Sequence, residues 1–545
     1  MQPRFRWGSN APSRLLGSLL HRIATLILTL LTPCLSISST VAEEKATNGC
    51  VPNIVLILAD DLGYADPGCY GGKIPTPNID RLAEEGMRFT DAHSTSSVCS
   101  PTRYGLLTGR YNWRSRLKRG VLGGLSPRLI EPDRMTIASM LKAAGYHTAC
   151  FGKWHLGMDW VVKPNAEVAE LSIERREQVF NVDFTKPITN GPNAVGFGSY
   201  YGISASLDMV PYTFIENDHV VSLPTEDRSF LMMHGHDPKR QTRKGPAAPD
   251  FEAENVLPVL AKKSVAYIDG QAAEARHGHP FFMYVPLASP HTPILSTPAW
   301  QGKSGINAYA DFVMETDWAV GEIVAALSRN ELADQTLIVF TSDNGCSPQA
   351  QFDELAEHDH FPSGPLRGHK ADLFEGGHRV PFVVRWPGHV PAGSTSNQLV
   401  CQCDILATVA EILEIRVADE AAEDSISFLR TLRAGTAGKR DQLVSHSVNG
   451  SFAIRRGPWK LLLCPDSGGW SAPRPGSKQA NGLPPVQLFN LDDDLGEQAN
   501  LAGQHPEKVR ELTDLLEQFV ANGRSTPGKP QPNTGPVNIR VSGAR

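Results

Sequence analysis

The sequence contains no block of basic residues interleaved with aromatic residues, and this absence argues against a nucleic-acid partner. Its 545 residues include 52 Lys and Arg against 58 Asp and Glu, which gives a formal net charge of only −6. So small a charge for this length indicates no particular partner. With 41% hydrophobic and 20% charged residues, the composition is that of a soluble globular protein. A chain of this length is expected to form two domains.

The first 42 residues contain no acidic side chain. Four arginines precede an apolar run from Ile23 to Leu31, and small residues then lead to Thr40-Val41-Ala42. The apolar run is too short to span a bilayer comfortably. The pattern predicts a secretory signal peptide over residues 1–42 and no stable membrane insertion. We therefore expect an exported protein, periplasmic or extracellular, or in a lysosomal-type compartment if eukaryotic. A retained anchor is the alternative.

Cysteine is scarce, with nine residues in the whole chain. Cys34 would leave with the signal peptide, so that eight would remain in the mature protein. Export permits disulfides among them, but a single sequence does not fix their connectivity. On residue type alone, each cysteine is read first as a packing residue or a disulfide partner.

Continuous apolar runs predict strands that are buried on both faces of a parallel sheet. Such runs occur at Asn53–Ala59, Pro280–Leu287 and Thr336–Ser342, and helical patterns lie between them. The predicted fold is α/β, with a large mixed, mostly parallel sheet flanked by helices. In such a sheet, ligands bind at the carboxyl ends of the strands.

The pattern changes after about residue 435. A hairpin around Gly457-Pro458, a strand near residues 487–491 and an amphipathic helix over residues 506–522 predict an antiparallel sheet with a terminal helix. We therefore predict a larger α/β domain over residues 50–435 and a smaller C-terminal α+β subdomain over 436–523. Residues 524–545, rich in Pro and Gly, are expected to be disordered. The stretch 160–255 has weak hydrophobic periodicity, which predicts elaborate loops near the ligand site at the carboxyl edge of the sheet.

Two of the predicted strands end in oxygen-bearing side chains. Asp60 and Asp61 follow the first apolar run, and Asp343 and Asn344 follow the last. Three carboxylates and an amide oxygen suit Ca²⁺ or Mg²⁺ better than zinc, which prefers His and Cys. Acidic residues are common at solvated strand ends, but two such ends after buried runs favour a metal site.

Four basic side chains form a second set. Lys153 and His155 occupy alternate positions, so both would point to one side of an extended segment. His291 stands between prolines in Pro290-His291-Thr292-Pro293, and Lys370 follows Gly368-His369. Singly, each is more often a surface cation or a satisfied histidine. With the carboxylates they describe a pocket for a tetrahedral anion, in which lysines neutralise oxygens and histidines move protons.

The pentapeptide Cys99-Ser100-Pro101-Thr102-Arg103 predicts the start of a helix. Proline suits the first helical turn, and Ser100 before it is a natural N-cap. Cys99 would then lie at the helix entrance, where free N–H groups favour an anion, with Arg103 one turn along. The pentapeptide continues into Gly105-Leu106-Leu107-Thr108-Gly109-Arg110.

These motifs resemble those of the type I sulfatases of the alkaline phosphatase superfamily, in family order from about Asn53 to Pro387. The resemblance implies an alkaline phosphatase-like fold and oxidation of Cys99 to formylglycine by a formylglycine-generating enzyme. It implies one bound Ca²⁺, with Mg²⁺ less favoured, held by Asp60, Asp61, Cys99, Asp343 and Asn344. The catalytic positions that it implies are Cys99, Arg103, Lys153, His155, His291 and Lys370. Conversion of Cys99 would leave seven cysteines, at least one of them unpaired.

The implied reaction is hydrolysis of a sulfate monoester, either an aryl sulfate or a sulfated carbohydrate. One hydroxyl of the hydrated aldehyde would attack sulfur, activated by the metal and Asp343. His291, helped by Lys370, would protonate the leaving alcohol. The second hydroxyl would then lose its proton to His155 and release sulfate. Arg103 and Lys153 would hold the diol.

Two kinds of alternative compete with this interpretation. The first is another hydrolase of the same superfamily, and the second is a relative without enzymatic activity. Formylglycine-dependent phosphonate monoester or phosphodiester hydrolases share the pentapeptide. Two-zinc phosphatases need an Asp-His pair and an Asp-x-x-x-His helix, whereas this chain has Asp343-Asn344 and Asp317 followed by Gly321. A degenerate, glycan-binding relative would have lost a ligand or catalytic position, and no such position is lost here.

Overall fold

A computed structural model describes residues 51–436 and 438–540. The predicted signal peptide over residues 1–42 therefore lies outside the described residues. The strands are β1 (Asn53–Ala59), β2 (Met87–Phe89), β3 (Ala92–His93), β4 (His147–Lys153), β5 (Ser199–Ile203), β6 (Ile215–Glu216), β7 (His219–Val220), β8 (Glu226–Arg228), β9 (Gly245–Ala247), β10 (Phe281–Pro286), β11 (Thr336–Ser342), β12 (Phe382–Arg385), β13 (Ser394–Ser396), β14 (Val400–Cys401), β15 (Gln442–His446), β16 (Phe452–Arg456), β17 (Trp459–Leu462) and β18 (Gln487–Asn490). The helices are α1 (Pro77–Glu84), α2 (Cys99–Thr108), α3 (Ile137–Ala143), α4 (Val256–Arg276), α5 (Ala308–Arg329), α6 (Phe352–Ala356), α7 (Glu375–His378), α8 (Asp404–Ile412), α9 (Leu429–Ala434) and α10 (Pro506–Asn522).

Ten strands form the central sheet, in the order β13-β2-β12-β11-β1-β10-β4-β5-β6-β7. Its middle is parallel, since β1 pairs in parallel with β10 and β11, and β4 pairs in parallel with β10 and β5. The strand β12 runs antiparallel to both β11 and β2, and the far edge at β6 and β7 is also antiparallel. The predicted mixed, mostly parallel sheet is confirmed.

The apolar runs are buried on both faces because helices cover both sides of the sheet. All seven residues of β1 are buried, and successive side chains enter opposite apolar layers. One layer includes Val55 and Ile57 with residues of α1, α4 and α5. The other includes Leu56 with residues of α2, α3, α8 and α9. Each such side chain contributes about 1.5–3 kcal/mol by leaving water.

A second sheet contains the four antiparallel strands β15-β16-β17-β18. The predicted hairpin is present, with β16 and β17 paired on either side of Gly457-Pro458. The amphipathic helix α10 packs through Leu512, Leu516 and Phe519 into an apolar cluster shared with this sheet. The predicted antiparallel sheet and terminal helix are confirmed. The boundary at residue 435 stays a prediction, because both sheets belong to one compact unit.

Two segments differ from the sequence-based prediction. Within the stretch read as loops, Ser199–Ile203 forms β5 of the central sheet. Residues 524–540, expected to be disordered, follow a defined path: Arg110 Nη2 donates to the Pro532 carbonyl at 2.9 Å, and Thr534 N donates to the Arg114 carbonyl at 2.7 Å. The buried arginines supply partners for a tail that has little apolar surface of its own.

Among the described helices, none combines the length and the apolar character needed to cross a bilayer. The seven cysteines of the described range are all free thiols, and six of them are buried. They are Cys69, Cys99, Cys150, Cys346, Cys401, Cys403 and Cys464.

Candidate active site

Parallel pairing of β1 with β11 brings the two acidic strand ends together. Ala59 and Ser342 are register partners, so the residues that follow them meet at one edge of the sheet. Asp61 N donates to Asp343 Oδ1 at 3.2 Å, and Asn344 Nδ2 donates to Asp61 Oδ1 at 2.7 Å. The predicted cluster of carboxylates and amide therefore exists as one buried group.

The backbone of Asp61 lies in the left-handed region, with φ of 64°. This conformation costs a non-glycine residue free energy, so neighbouring groups must hold it in place. Leu62 N donates to Ser342 Oγ at 3.0 Å, and Tyr309 Oη lies 3.3 Å from the Asp61 carbonyl oxygen. Asp66 Oδ2 accepts from Gly63 N at 2.6 Å. These bonds fix the direction of the Asp61 carboxylate.

Cys99 is the first residue of α2 and is 2% exposed. The expected N-cap at Ser100 is wrong. Val98 occupies that position without a side-chain cap, because the helix begins earlier and Ser100 Oγ instead accepts from Leu122 N at 3.2 Å. The expected placement of Cys99 at the helix entrance is nevertheless observed. One turn along, Arg103 Nη2 donates to Asp343 Oδ2 at 2.9 Å, so α2 is tied to the acidic cluster.

Two lysines neutralise the pair of aspartates that follows β1. Lys153 Nζ donates to Asp60 Oδ2 at 2.5 Å, and Lys370 Nζ donates to Asp61 Oδ2 at 2.8 Å. His291 Nε2 lies 3.7 Å from Asp61 Oδ2. The loops after β1, β4, β10 and β11 thus converge, as expected for the carboxyl edge of a parallel sheet. All ten residues named from the sequence motifs are buried here.

The backbone at His155 is not extended, whereas the sequence pattern predicted that Lys153 and His155 alternate along one extended segment. The strand β4 ends at Lys153, and His155 has φ of 55°, so the two do not simply alternate along a strand. His155 Nε2 donates to the Leu122 carbonyl at 2.8 Å, while the buried Nδ1 has no hydrogen-bond partner. Burial and the charges of Lys153 and Arg103 hold its pKa well below the ordinary value. Neutral His155 therefore offers a free acceptor.

The pKa values reflect crowding of like and unlike charges. Burial and the Asp60 carboxylate raise the pKa of Asp343 to about 7. Although burial alone would raise the pKa of Asp60, the charges of Lys153, His291 and Arg103 hold it well below its usual value. Burial and Lys370 oppose the charging of His291, yet Asp61 and Asp60 raise its pKa above the ordinary value. Burial thus favours the neutral form of His155, whereas two carboxylates favour the charged form of His291.

The donor set fits a hard cation. Asp60 Oδ1 and Asn344 Oδ1 are buried acceptors without a hydrogen-bond partner, a costly state for polar atoms unless another ligand is present. Ligand atoms of Asp60, Asp61, Cys99 and His291 lie within 4.8 Å of one another. Asp343 and Asn344, which are hydrogen-bonded to Asp61, add further oxygen atoms of the kind that Ca²⁺ and Mg²⁺ require. The buried acidic cluster can therefore bind a metal ion.

Other residues support the site without a local motif that would reveal them. Tyr309 and Ser342 contact the Asp61 loop from distant parts of the chain, and Asp66 holds it from within the same loop. Only the strand-end position of Ser342 gives a signal in the sequence. A rim segment over residues 231–241 joins two site loops: Ile294 N donates to the Met232 carbonyl at 2.8 Å, and Arg240 Nη2 donates to Gln349 Oε1 at 2.8 Å.

Comparisons with known proteins agree with this geometry. A family model described as Sulfatase matches residues 52–415. An N-acetylgalactosamine-6-O-sulfatase of Bacteroides thetaiotaomicron is 34% identical over 90% of this chain and 96% of its own length. Human arylsulfatase A is 32% identical over 85% of this chain and 87% of its own. A solved structure from a Bacteroides thetaiotaomicron locus for the metabolism of multiple glycosaminoglycans superposes with a TM-score of 0.74, at 34% identity, over 86% of this chain and 99% of its own.

Proposed function

The chain belongs to the sulfatase family of sulfuric ester hydrolases, and we propose that it hydrolyses a sulfate monoester of a carbohydrate with a formylglycine derived from Cys99 and a bound Ca²⁺. The observation that carries this proposal is the position of Cys99. It lies buried at the start of α2, its Sγ within 4.8 Å of ligand atoms of two aspartates and a histidine. A packing cysteine has no need of such neighbours.

Asp60, Asp61, Asp343 and Asn344 would hold the cation, together with the modified side chain of residue 99. When bound, the cation supplies Lewis-acid polarisation of a sulfate oxygen, and formylglycine supplies a hydrated aldehyde as nucleophile. The two unpartnered oxygens of Asp60 and Asn344 support this assignment.

The remaining charged residues orient the nucleophile and the sulfate group. Arg103 and Lys153 pair with Asp60 and Asp343 and balance their negative charge. In the proposed reaction they would also hold the modified side chain of residue 99. Against burial and the charge of Lys370, the carboxylates of Asp61 and Asp60 raise the pKa of His291 above its ordinary value. His291 is therefore suited to protonate the leaving alcohol, with Lys370 beside it on Asp61. His155, neutral and with a free Nδ1, is suited to accept the proton whose loss releases sulfate.

A carbohydrate is the favoured substrate class. The relative with 34% identity is an N-acetylgalactosamine-6-O-sulfatase and matches nearly its whole length. An aryl sulfate remains the second choice, since arylsulfatase A is 32% identical. We further propose that the protein is exported and meets a maturation enzyme that acts on Cys99.

The two-zinc alternative is disfavoured by the use of Asp317. Its carboxylate accepts from the backbone N–H groups of Asn78 and Ile79 at 3.1 and 2.8 Å, so it caps α1. At Gly321, a Cβ atom would lie 2.6 Å from the Asn78 side chain, so the helix has no room for a histidine there.

The test joins mass spectrometry to a substrate panel. We expect the Cys99 peptide of active protein to carry an aldehyde, and Cys99→Ala to abolish turnover while the unfolding midpoint stays within a few degrees. Full activity with an unmodified thiol would overturn the proposal. The panel compares sulfated monosaccharides with an aryl sulfate and an aryl phosphate diester, and faster cleavage of the phosphate diester would favour the phosphodiesterase alternative.

A further inference from the structure

Trp470 is an exposed tryptophan beside the active site. It lies in the segment between β17 and β18 and keeps 38% of its surface accessible. Its ring centre is 5.9 Å from Lys370 Nζ, the ammonium group that also bonds Asp61. Among the described residues, no other aromatic ring stacks on it. A large indole without an aromatic partner thus lies next to a lysine that would contact the sulfate ester.

The backbone of Trp470 is held rigidly to the loop that carries Lys370. Asp372 is fully buried two residues after Lys370, and its Oδ1 accepts from Trp470 N at 2.7 Å and from Ser471 N at 3.0 Å. Arg474 Nε donates to the Trp470 carbonyl at 2.5 Å. One carboxylate therefore ties the backbone of Trp470 to the loop that carries Lys370.

Close packing under the loop reinforces this arrangement. Leu373 N donates to the Ser467 carbonyl at 2.8 Å. At Gly469, a Cβ atom would lie 2.3 Å from the Ala371 carbonyl oxygen, so the loop sits directly on the backbone next to Lys370. A rigid segment that presents an exposed aromatic ring loses little conformational entropy when a ligand binds to it.

We propose that Trp470 is a stacking platform for the sugar ring that bears the sulfate, an inference that rests on the proposed function and narrows its substrate class to pyranose sulfates. The sulfate oxygens would face Lys370 and the acidic cluster, and the ring beyond the ester oxygen would then reach the indole. A pyranose presents an apolar face of C–H groups, whose partial positive charge complements the negative face of the indole. Its hydroxyl groups stay at the periphery, in water.

The test measures binding, so that it does not depend on turnover. A panel of pyranose monosulfates and inorganic sulfate are titrated calorimetrically into Cys99→Ala protein and into the same protein with Trp470→Ala, Trp470→Phe or Leu483→Ala. Leu483 is the matched control, since it lies in the same segment and is 40% exposed. We expect Trp470→Ala to weaken sugar-sulfate binding about tenfold and Trp470→Phe only about twofold. Leu483→Ala should change nothing, and inorganic sulfate should bind equally to all four proteins.

Equal affinity of the Trp470→Ala and Leu483→Ala proteins for the sugar sulfates would overturn the proposal. So would a parallel loss of inorganic sulfate binding, because that loss would mean that Trp470 acts only by positioning Lys370. Wild-type protein that binds the sugar sulfates through Trp470 but hydrolyses none of them would contradict the proposed function alone.

Discussion

At the scale of single residues, Asp66 holds the loop that carries Asp61. Lys73 N donates to His360 Nδ1 at 3.1 Å, so His360 must donate through Nε2 to Asp66 Oδ1, at 2.8 Å. The other oxygen, Oδ2, accepts from Gly63 N and, at 2.5 Å, from Tyr309 Oη. Every contact requires an acceptor. A carboxylate is the group that provides acceptors on both sides.

We therefore predict that Asp66→Asn lowers both stability and kcat. The amide would turn an N–H group either toward His360 or toward Gly63 and Tyr309, leaving buried donors unpaired at a cost of about 1–3 kcal/mol. Asp61, with its left-handed backbone, would lose part of its support. Chemical denaturation and steady-state kinetics check this, with Asp218→Asn as an exposed control whose side chain contacts its neighbour His219. A variant as stable and active as the control would refute the role of Asp66.

At the scale of elements, the short helix α7 joins three parts of the molecule. Gly345 N, next to Asn344, donates to the Gly377 carbonyl at 3.0 Å, and Ser94 N, before α2, donates to the His378 carbonyl at 2.8 Å. From the second sheet, Lys460 Nζ donates to Glu375 Oε1 at 2.9 Å. The second sheet thereby supports the segments that carry Asn344 and Cys99.

Lys460 is shared between two buried carboxylates, and this gives stability a pH dependence. It pairs with Glu375 and, at 2.8 Å, with Glu497. Burial raises the pKa of Glu497 to about 7 against the opposing charge of Lys460, whereas Lys460 and His93 hold the pKa of Glu375 well below its usual value. The folded state therefore favours protonated Glu497. The free energy of unfolding falls as pH rises from about 4.5 to about 7, because the carboxyl group would ionise in the unfolded chain but keeps its proton in the folded one.

The variant Glu497→Gln should remove this pH-dependent loss of stability, because an amide does not ionise. We expect the free energy of unfolding of the wild type to fall, relative to the variant, by about 1–3 kcal/mol between pH 5 and pH 8. Urea denaturation at both pH values measures the difference. Parallel changes in the two proteins would mean that Glu497 is ionised throughout.

The sequence predicted elements and site residues that depend on local pattern. β1 and β11 are uninterrupted apolar runs, and the acidic residues and Asn344 follow their ends directly. The topology of a parallel sheet was therefore enough to group these residues. β5 was missed because Ser199–Ile203 contains glycine and two tyrosines rather than an aliphatic run. Trp470 was missed because only the fold brings it beside Lys370, 100 residues earlier in the chain.

At the scale of the whole molecule, a bound cation would couple the loops after β1 and β11. Calcium at 100 times its Kd should raise the free energy of unfolding by about 2.7 kcal/mol. We expect EDTA to lower the Tm of purified protein, and calcium to restore it at lower concentration than magnesium. The variant Asn344→Leu should lose this response, and exposed Asp218→Asn should keep it. An unchanged Tm with EDTA and with calcium would contradict the metal proposal.

The ordered tail has a consequence for the timing of synthesis. Arg114, which closes the segment after α2, donates to Asn533 Oδ1 at 3.1 Å across a separation of 419 residues. At about 5–20 residues per second, a ribosome needs roughly 20 to 80 s to bridge that distance. During this interval the segment that begins at Cys99 lacks its last partners. In the finished fold Cys99 is 2% exposed, so the proposed modification would require an oxidising enzyme to reach the thiol in the unfinished nascent chain.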